Sequence, residues 1–197
     1  MSSEGGSLVG IAIRGHNRGM EAEVVVLGGG CFWCTEAVFE MLKGIVSVEP
    51  GYAGPAREKP PTYEEVCTGT TPYTESTKIV FKPEDLAFEE ILRVFFASHD
   101  ATTLNRQGND VGPQYRSAIF TTTPRQKEKS QHYIDVLNKG GYVKPIVTAV
   151  EDLDHFYPAE DYHKKYFETH KDAPYCQLVI APKVEKIGES FKSLLKK

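Results

Sequence analysis

The chain has 197 residues, 40% hydrophobic and 25% charged, with 27 acidic against 23 basic side chains and a formal net charge of -4. That composition excludes the disordered class, and the length favours one domain over two. Scattered, outnumbered Lys and Arg argue against a phosphate-binding stripe, and no apolar run approaches the ~20 residues of a membrane span. Neither a nucleic-acid nor a membrane partner is expected. Residues 1–19, rich in Gly and Ser and without a signal-peptide core, read as a disordered extension or a non-native remnant, leaving 20–197 as a single catalytic domain. Four cysteines, two of them in a C-x-x-C pair, fit redox chemistry in a reducing compartment, the cytoplasm, better than disulfide staples.

In chain order, residues 24–27 read as a buried strand, Gly28, Gly29 and Gly30 as a tight turn, and 35–42 as an amphipathic helix. Residues 46–48 and the region of Tyr52 predict a short strand entering a Gly/Pro-rich surface loop at 51–61. Residues 77–82 alternate as a half-buried strand, and Pro83 and Glu84 open a helix running through Phe96. The connection 99–115 is longer than most, and such loops are either functional or disordered. A strand at 117–122, a helix at 124–139, a strand at 146–150 and a short helix at 159–170 follow. Residues 177–180 read as a strand, and the tail ends as a basic helix. Such an order permits either βαβ units or an α+β sheet covered by helices.

The run Cys31-Phe32-Trp33-Cys34 puts a thiol at the start of a helix. Unpaired N–H groups and the helix dipole there lower a thiol pKa from about 8.5 and favour thiolate. A buried structural cysteine is the plain alternative. A thioredoxin-like oxidoreductase would also carry C-x-x-C after a strand, but two bulky aromatics between the cysteines argue against it. A cysteine hydrolase could pair Cys31 with His99 or His155. A peptide-binding module could use the aromatics alone. No metal site is expected, because the C-x-x-C lacks a second ligand pair and His163 and His170 stand apart.

Gly30-Cys31-Phe32-Trp33, followed shortly by a glutamate, resembles the active-site motif of the A-type peptide methionine sulfoxide reductases. The blocks at 99–120, 62–69, 51–54 and 156–163 are similar to further signatures of that family, so the resemblance covers about 24–183. It implies an α+β fold, a two-layer sandwich of mixed β-sheet and packed helices with a ferredoxin-like core. It implies a peptide-methionine (S)-S-oxide reductase without a bound cofactor, acting as a monomer on methionine S-sulfoxide, free and in proteins, with thioredoxin as reductant.

Reducing a sulfoxide needs a soft nucleophile for sulfur and a proton donor for oxygen. The resemblance makes Cys31 the nucleophile and Glu75 the donor, assisted by the Tyr63 and Tyr115 hydroxyls; Glu75 is then expected in a partly apolar site that raises its pKa. By the same resemblance Phe32 and Trp33 form the slot for the sulfoxide methyl, and Asp110 holds the pocket or contacts a peptide. The thiol that resolves the Cys31 sulfenic acid is either Cys34 or Cys176, with Cys34 favoured because Cys176 leads into a strand-like run. Cys67 reads as a core cysteine. Pro72-Tyr73-Thr74-Glu75 stands where the family commonly has Gly-His-Ala-Glu, and Ala101 replaces a frequent Pro.

Overall fold

The computed structural model describes residues 21–141 and 144–196; the extension read over 1–19 lies outside them. Strand β1 (Glu23–Gly29) is followed by α1 (Phe32–Glu40), β2 (Ile45–Gly54), α2 (Tyr63–Cys67), β3 (Thr74–Phe81) and α3 (Phe88–Ser98). A two-residue hairpin, β4 (Arg106–Gln107) and β5 (Asp110–Val111), leads to β6 (Ser117–Thr121) and α4 (Pro124–Lys139). Then come β7 (Ala149–Asp152), β8 (His155–Pro158), α5 (Tyr166–Thr169) and α6 (Ala181–Ser190).

Six strands form one sheet in the order β7-β6-β1-β3-β2-β8, antiparallel except for the parallel β6–β7 pair. Within it, β1-α1-β2-β3-α3-β6 arranges its strands as β6-β1-β3-β2, the ferredoxin-like core. Alternation on β1 sends Val25 and Leu27 to the helical face, where they meet Val38 and Phe39 of α1 and Phe88, Ile91, Leu92 and Phe95 of α3. The α3 positions recur three and four apart, so one stripe is buried, at about 1.5–3 kcal/mol per large side chain. Val26, Ala53, Ala118 and Phe120 pack on the opposite face.

Several sequence expectations shift. β2 runs unbroken to Gly54, so the exposed loop starts at Pro55 rather than Gly51. Gly51 is tolerated in this strand because the Tyr157 backbone and the Phe156 ring of β8 press into the space a Cβ would need. β3 starts three residues earlier than its alternation predicts, at Thr74, because Thr74, Glu75 and Ser76 continue the ladder with Ala53, Tyr52 and Gly51 of the longer strand β2. The helix expected from Pro83 begins at Phe88, after a turn closed by Asp85 and Leu86 N–H groups on the Lys82 carbonyl. β7 lies at 149–152, not 146–150, and β8, a four-residue edge strand ending in Pro, was not expected. The expected helix at 159–170 is broken at Lys165 (φ 53°) between a 3-10 turn and α5.

Residues 177–180 are not a strand. Cys176–Ile180 is a π-helical turn running into α6, because Cys176 and Ile180, four apart, are buried while Leu178 is 77% exposed. The departures from the family pattern are absorbed locally. Tyr73 is buried, donates its hydroxyl to the Pro55 carbonyl at 2.9 Å and meets Tyr157 edge-on, and Ala101 packs into the main core.

Candidate active site

At the end of β1 the chain reverses through Gly30 (φ +89°), where the Gln107 side chain occupies the space a Cβ would need. Only glycine fits that turn. It delivers Cys31 to the N-cap of α1, where the Cys31 carbonyl accepts the Cys34 N–H at 3.2 Å. Cys31 is 8% exposed. Glu75, from the middle of the sheet, is 1% exposed and accepts the Phe32 N–H at 3.3 Å. Burial pushes its carboxyl up to about 8, the Phe32 N–H pulling against it and Asp110 adding to the rise, so Glu75 is protonated at neutral pH.

The thiols divide differently from the expectation of a Cys31 thiolate. Burial pushes the Cys31 thiol well up, with its hydrogen bond to Cys34 and the nearby Glu75 adding to the effect. Cys34, on the receiving side of that hydrogen bond, is drawn down to about 7. The first N–H of α1 faces Glu75 rather than sulfur, so burial outweighs the helix dipole at Cys31. Cys176 is fully buried in the same cluster as Cys31 and Cys34, with Ala37 and Ile180.

Tyr63 opens α2 behind a Thr62/Glu65 capping box, and its ring stacks on Phe32 with centroids 6.4 Å apart. Glu160 places it, accepting the Tyr63 N–H at 2.9 Å on one oxygen and the Tyr52 O–H at 2.7 Å on the other. Tyr115 ends the 3-10 turn Pro113–Tyr115. Burial first, then for Tyr63 a hydrogen bond to Cys67 and for both the Glu75 charge, raises these phenols, which stay protonated. Cys67 is half-buried beside the Tyr63 and Tyr115 hydroxyls rather than in the core, since it ends a five-residue surface helix.

Phe32 is buried and Trp33 half-buried; the Trp33 ring lies flat on Tyr166, centroids 3.7 Å apart and 8° from parallel. Asp110 accepts the Tyr175 O–H at 3.0 Å, and the two share with Cys31, Cys34, Val179 and Lys183 a cleft of about 540 Å³. One residue at the site went unrecognised in the sequence. His163 is 1% exposed between Phe32 (5.0 Å), Trp33 (5.6 Å) and Tyr63 (4.5 Å), and neither ring nitrogen has a hydrogen-bond partner among the described residues. Its place in the block 156–163 was the available signal.

His99 contributes nothing to a Cys–His pair. Its Nδ1 meets the Phe95 carbonyl and its Nε2 the Ser117 hydroxyl, both at 2.7 Å, and burial drives its pKa down to about 4. His155 stands on the edge strand against Tyr157. Among the described residues no group of three His, Cys, Asp or Glu is placed to hold a metal, and no helix is long and apolar enough to cross a membrane.

The family profile described as peptide methionine sulfoxide reductase matches residues 23–195. The chain belongs to that family. It is 51% identical over 177 residues to peptide methionine sulfoxide reductase MsrA of Thermus thermophilus, covering 90% of this chain and 99% of that protein. Among solved structures it resembles the reduced form of Mxr1 from Saccharomyces cerevisiae, with TM-score 0.72 and 28% identity over 79% of this chain and 90% of that one. Methionine sulfoxide reductase A of Corynebacterium diphtheriae gives TM-score 0.66 and 34% identity over 79% and 77% of the two chains. Within the family the chain is an A-type enzyme, an oxidoreductase acting as a peptide-methionine (S)-S-oxide reductase, and its α+β fold is the family's.

Proposed function

We propose that Cys31 is the nucleophile and Glu75 the proton donor of sulfoxide reduction, with the Tyr63 and Tyr115 hydroxyls completing the oxygen-binding end of the pocket. The observation that carries this is the buried, protonated Glu75 at the same helix start as Cys31. A sulfoxide whose methyl lies against Phe32 and Trp33 directs its oxygen to Glu75. The proton Glu75 gives makes the substrate sulfur electrophilic, and the Cys31 proton passes to Cys34 as Cys31 attacks. The bond that this attack forms between the Cys31 and substrate sulfurs breaks again as the substrate S–O bond breaks and a Cys31 S–O bond forms. Methionine leaves as the thioether: Cys31 is oxidised to the sulfenic acid by giving up the two electrons the substrate gains.

Cys34 then attacks the sulfenic sulfur, giving the Cys31–Cys34 disulfide and water; it already shares a hydrogen bond with Cys31, so the two sulfurs start close together. Cys176 is the second choice for this step. A dithiol protein of thioredoxin type returns both thiols by exchange through the cleft, a cycle suited to a reducing compartment such as the cytoplasm. No bound cofactor enters the cycle. One chain is the working unit of the cycle. Asp110 orders the cleft through Tyr175, where a peptide chain on either side of the oxidised methionine would lie, and free methionine S-sulfoxide fits the same slot.

The test is turnover of separated S and R epimers of a peptide methionine sulfoxide with dithiothreitol, beside Cys31→Ser. S-selective release of methionine, absent in Cys31→Ser, is expected; turnover that survives in the variant would overturn the assignment.

A further inference from the structure

Glu36 lies on α1 three residues after Trp33, 2% exposed, and takes no part in the chemistry above. Its Oε1 accepts the backbone N–H of Lys165 at 2.8 Å. Lys165 holds a left-handed conformation (φ 53°, ψ 36°), which costs a non-glycine residue free energy and persists only where the surroundings enforce it. The next residue, Tyr166, is the one lying flat on Trp33, and its other neighbour in ring contact is His170. α5 has four residues and none is buried, so a core of its own does not hold this segment in place.

We propose that Glu36 is a positioning residue for the substrate slot: its carboxylate fixes the backbone at 165–166, which keeps Tyr166 against Trp33 and sets the wall the sulfoxide methyl packs on. The inference rests on the reading of Trp33 as that wall. Burial pushes Glu36 up to about 7; the Lys165 N–H pulls it down and Glu40 raises it further. The groups facing it are Glu40 on its own helix, the Lys165 ammonium and Glu168, themselves paired at 3.4 Å, Lys164 and Lys171, and the Glu49–Lys78 pair of β2 and β3. As pH falls through about 7 the charge-assisted hydrogen bond becomes a neutral, weaker one.

Trp33 is the chain's only tryptophan, so its emission reports on the stack without reference to turnover. In the full-length enzyme, Glu36→Gln and Glu36→Ala should both change Trp33 emission. KM for an S-sulfoxide peptide should rise about tenfold in Glu36→Ala and less in Glu36→Gln, which still accepts, with kcat within about twofold. The wild-type emission change near pH 7 that is missing in Glu36→Gln isolates this carboxyl from Cys34 and Glu75, which titrate nearby. Unchanged emission and KM in both variants would overturn the proposal, and if Glu36→Ala does not fold the isosteric Glu36→Gln decides alone. Emission that changes while KM does not would leave Glu36 holding Tyr166 but sink the wall reading of Trp33, so the two failures separate.

Discussion

The first turn of α1 is flanked by two unlike pieces of chain. On one side is β3, an inner strand of the sheet, carrying Glu75 where it pairs with Tyr52 of β2. On the other is the irregular segment 161–180, a 3-10 turn, a four-residue helix and a π-helical turn, carrying Tyr166, Tyr175 and Cys176. Proton donation depends on a fixed distance between acid and sulfur, and a buried carboxyl on a hydrogen-bonded inner strand supplies it. The thiols must change bonding during a cycle, and segments with little core of their own open at lower cost than sheet strands. Rigid and yielding structure thus meet across one helix end, and the expected effects of mutation divide along the same line.

The largest effect falls on the rigid side. Glu75→Gln keeps shape and hydrogen bonding but has no proton to give, so kcat should fall by about 10²–10⁴ while substrate affinity changes little. Steady-state kinetics on an S-sulfoxide peptide checks this; an unchanged kcat would move proton donation to the tyrosines. The same variant carries a stability signature. An acid whose folded pKa is raised above its unfolded value binds its proton more tightly when folded. It therefore favours the fold at low pH and loses that contribution as pH rises toward its folded pKa. Between about 4.3 and 8 wild-type stability should fall by about 1.4 kcal/mol per pH unit from Glu75, and urea midpoints of Glu75→Gln should fall less steeply. Some slope survives, because Glu36 is raised to about 7 by the same cause.

The thiols test whether the yielding side, through Cys176, takes part in recycling or leaves it to Cys34 of α1. Without reductant, Cys34→Ser should release one methionine per enzyme and leave a Cys31 sulfenic acid that dimedone traps, yet turn over only slowly with a thioredoxin. Cys176→Ser should keep most of its thioredoxin-coupled rate. The reverse pattern would make Cys176 the resolving thiol, and its full burial in the same cluster makes this the sharper of the two tests.

What was legible in the sequence follows the same division. The β1-turn-α1 unit and α4 carry their signals locally, in a Val-rich run, three glycines, and a Thr123–Pro124 helix start. α4 stands at the expected 124–139, while β1 runs on through Gly28 and Gly29 and α1 starts at Phe32, three residues before the expected helix. Lys165 carries no such signal, because its left-handed conformation is imposed by Glu36, 129 residues away. The run Gln177-Leu178-Val179-Ile180 has strand propensity, and burial of Cys176 and Ile180 overrides it. The thiolate was expected on Cys31 from its helix position alone; the burial that reverses this comes in part from Cys176 and Ile180 and the opposing carboxyl from Glu75 of β3, contacts no local pattern encodes.

Glu160 offers the smallest and most discriminating break. It joins the two sides, since it follows β8 and pins Tyr63 and Tyr52 with separate oxygens. In Glu160→Gln one oxygen is replaced by an amide that donates. The Tyr52 hydroxyl can turn to accept from it, so both contacts survive in weaker, uncharged form. The expected loss is about 1 kcal/mol of stability, and a few-fold fall in kcat as the Tyr63 hydroxyl loosens. Burial would raise this carboxyl, but the Tyr63 N–H and the Tyr52 O–H outweigh it and hold it below the usual range. A lowered acid contributes stability above its unfolded pKa and loses it as pH falls, the opposite sign to Glu75. The difference in urea midpoint between wild type and Glu160→Gln should therefore be present at pH 7 and shrink below about pH 4, whereas that of Glu75→Gln moves the other way. Two carboxylates on one pocket with opposite pH signs would separate a group that holds a tyrosine in place from one that gives up a proton.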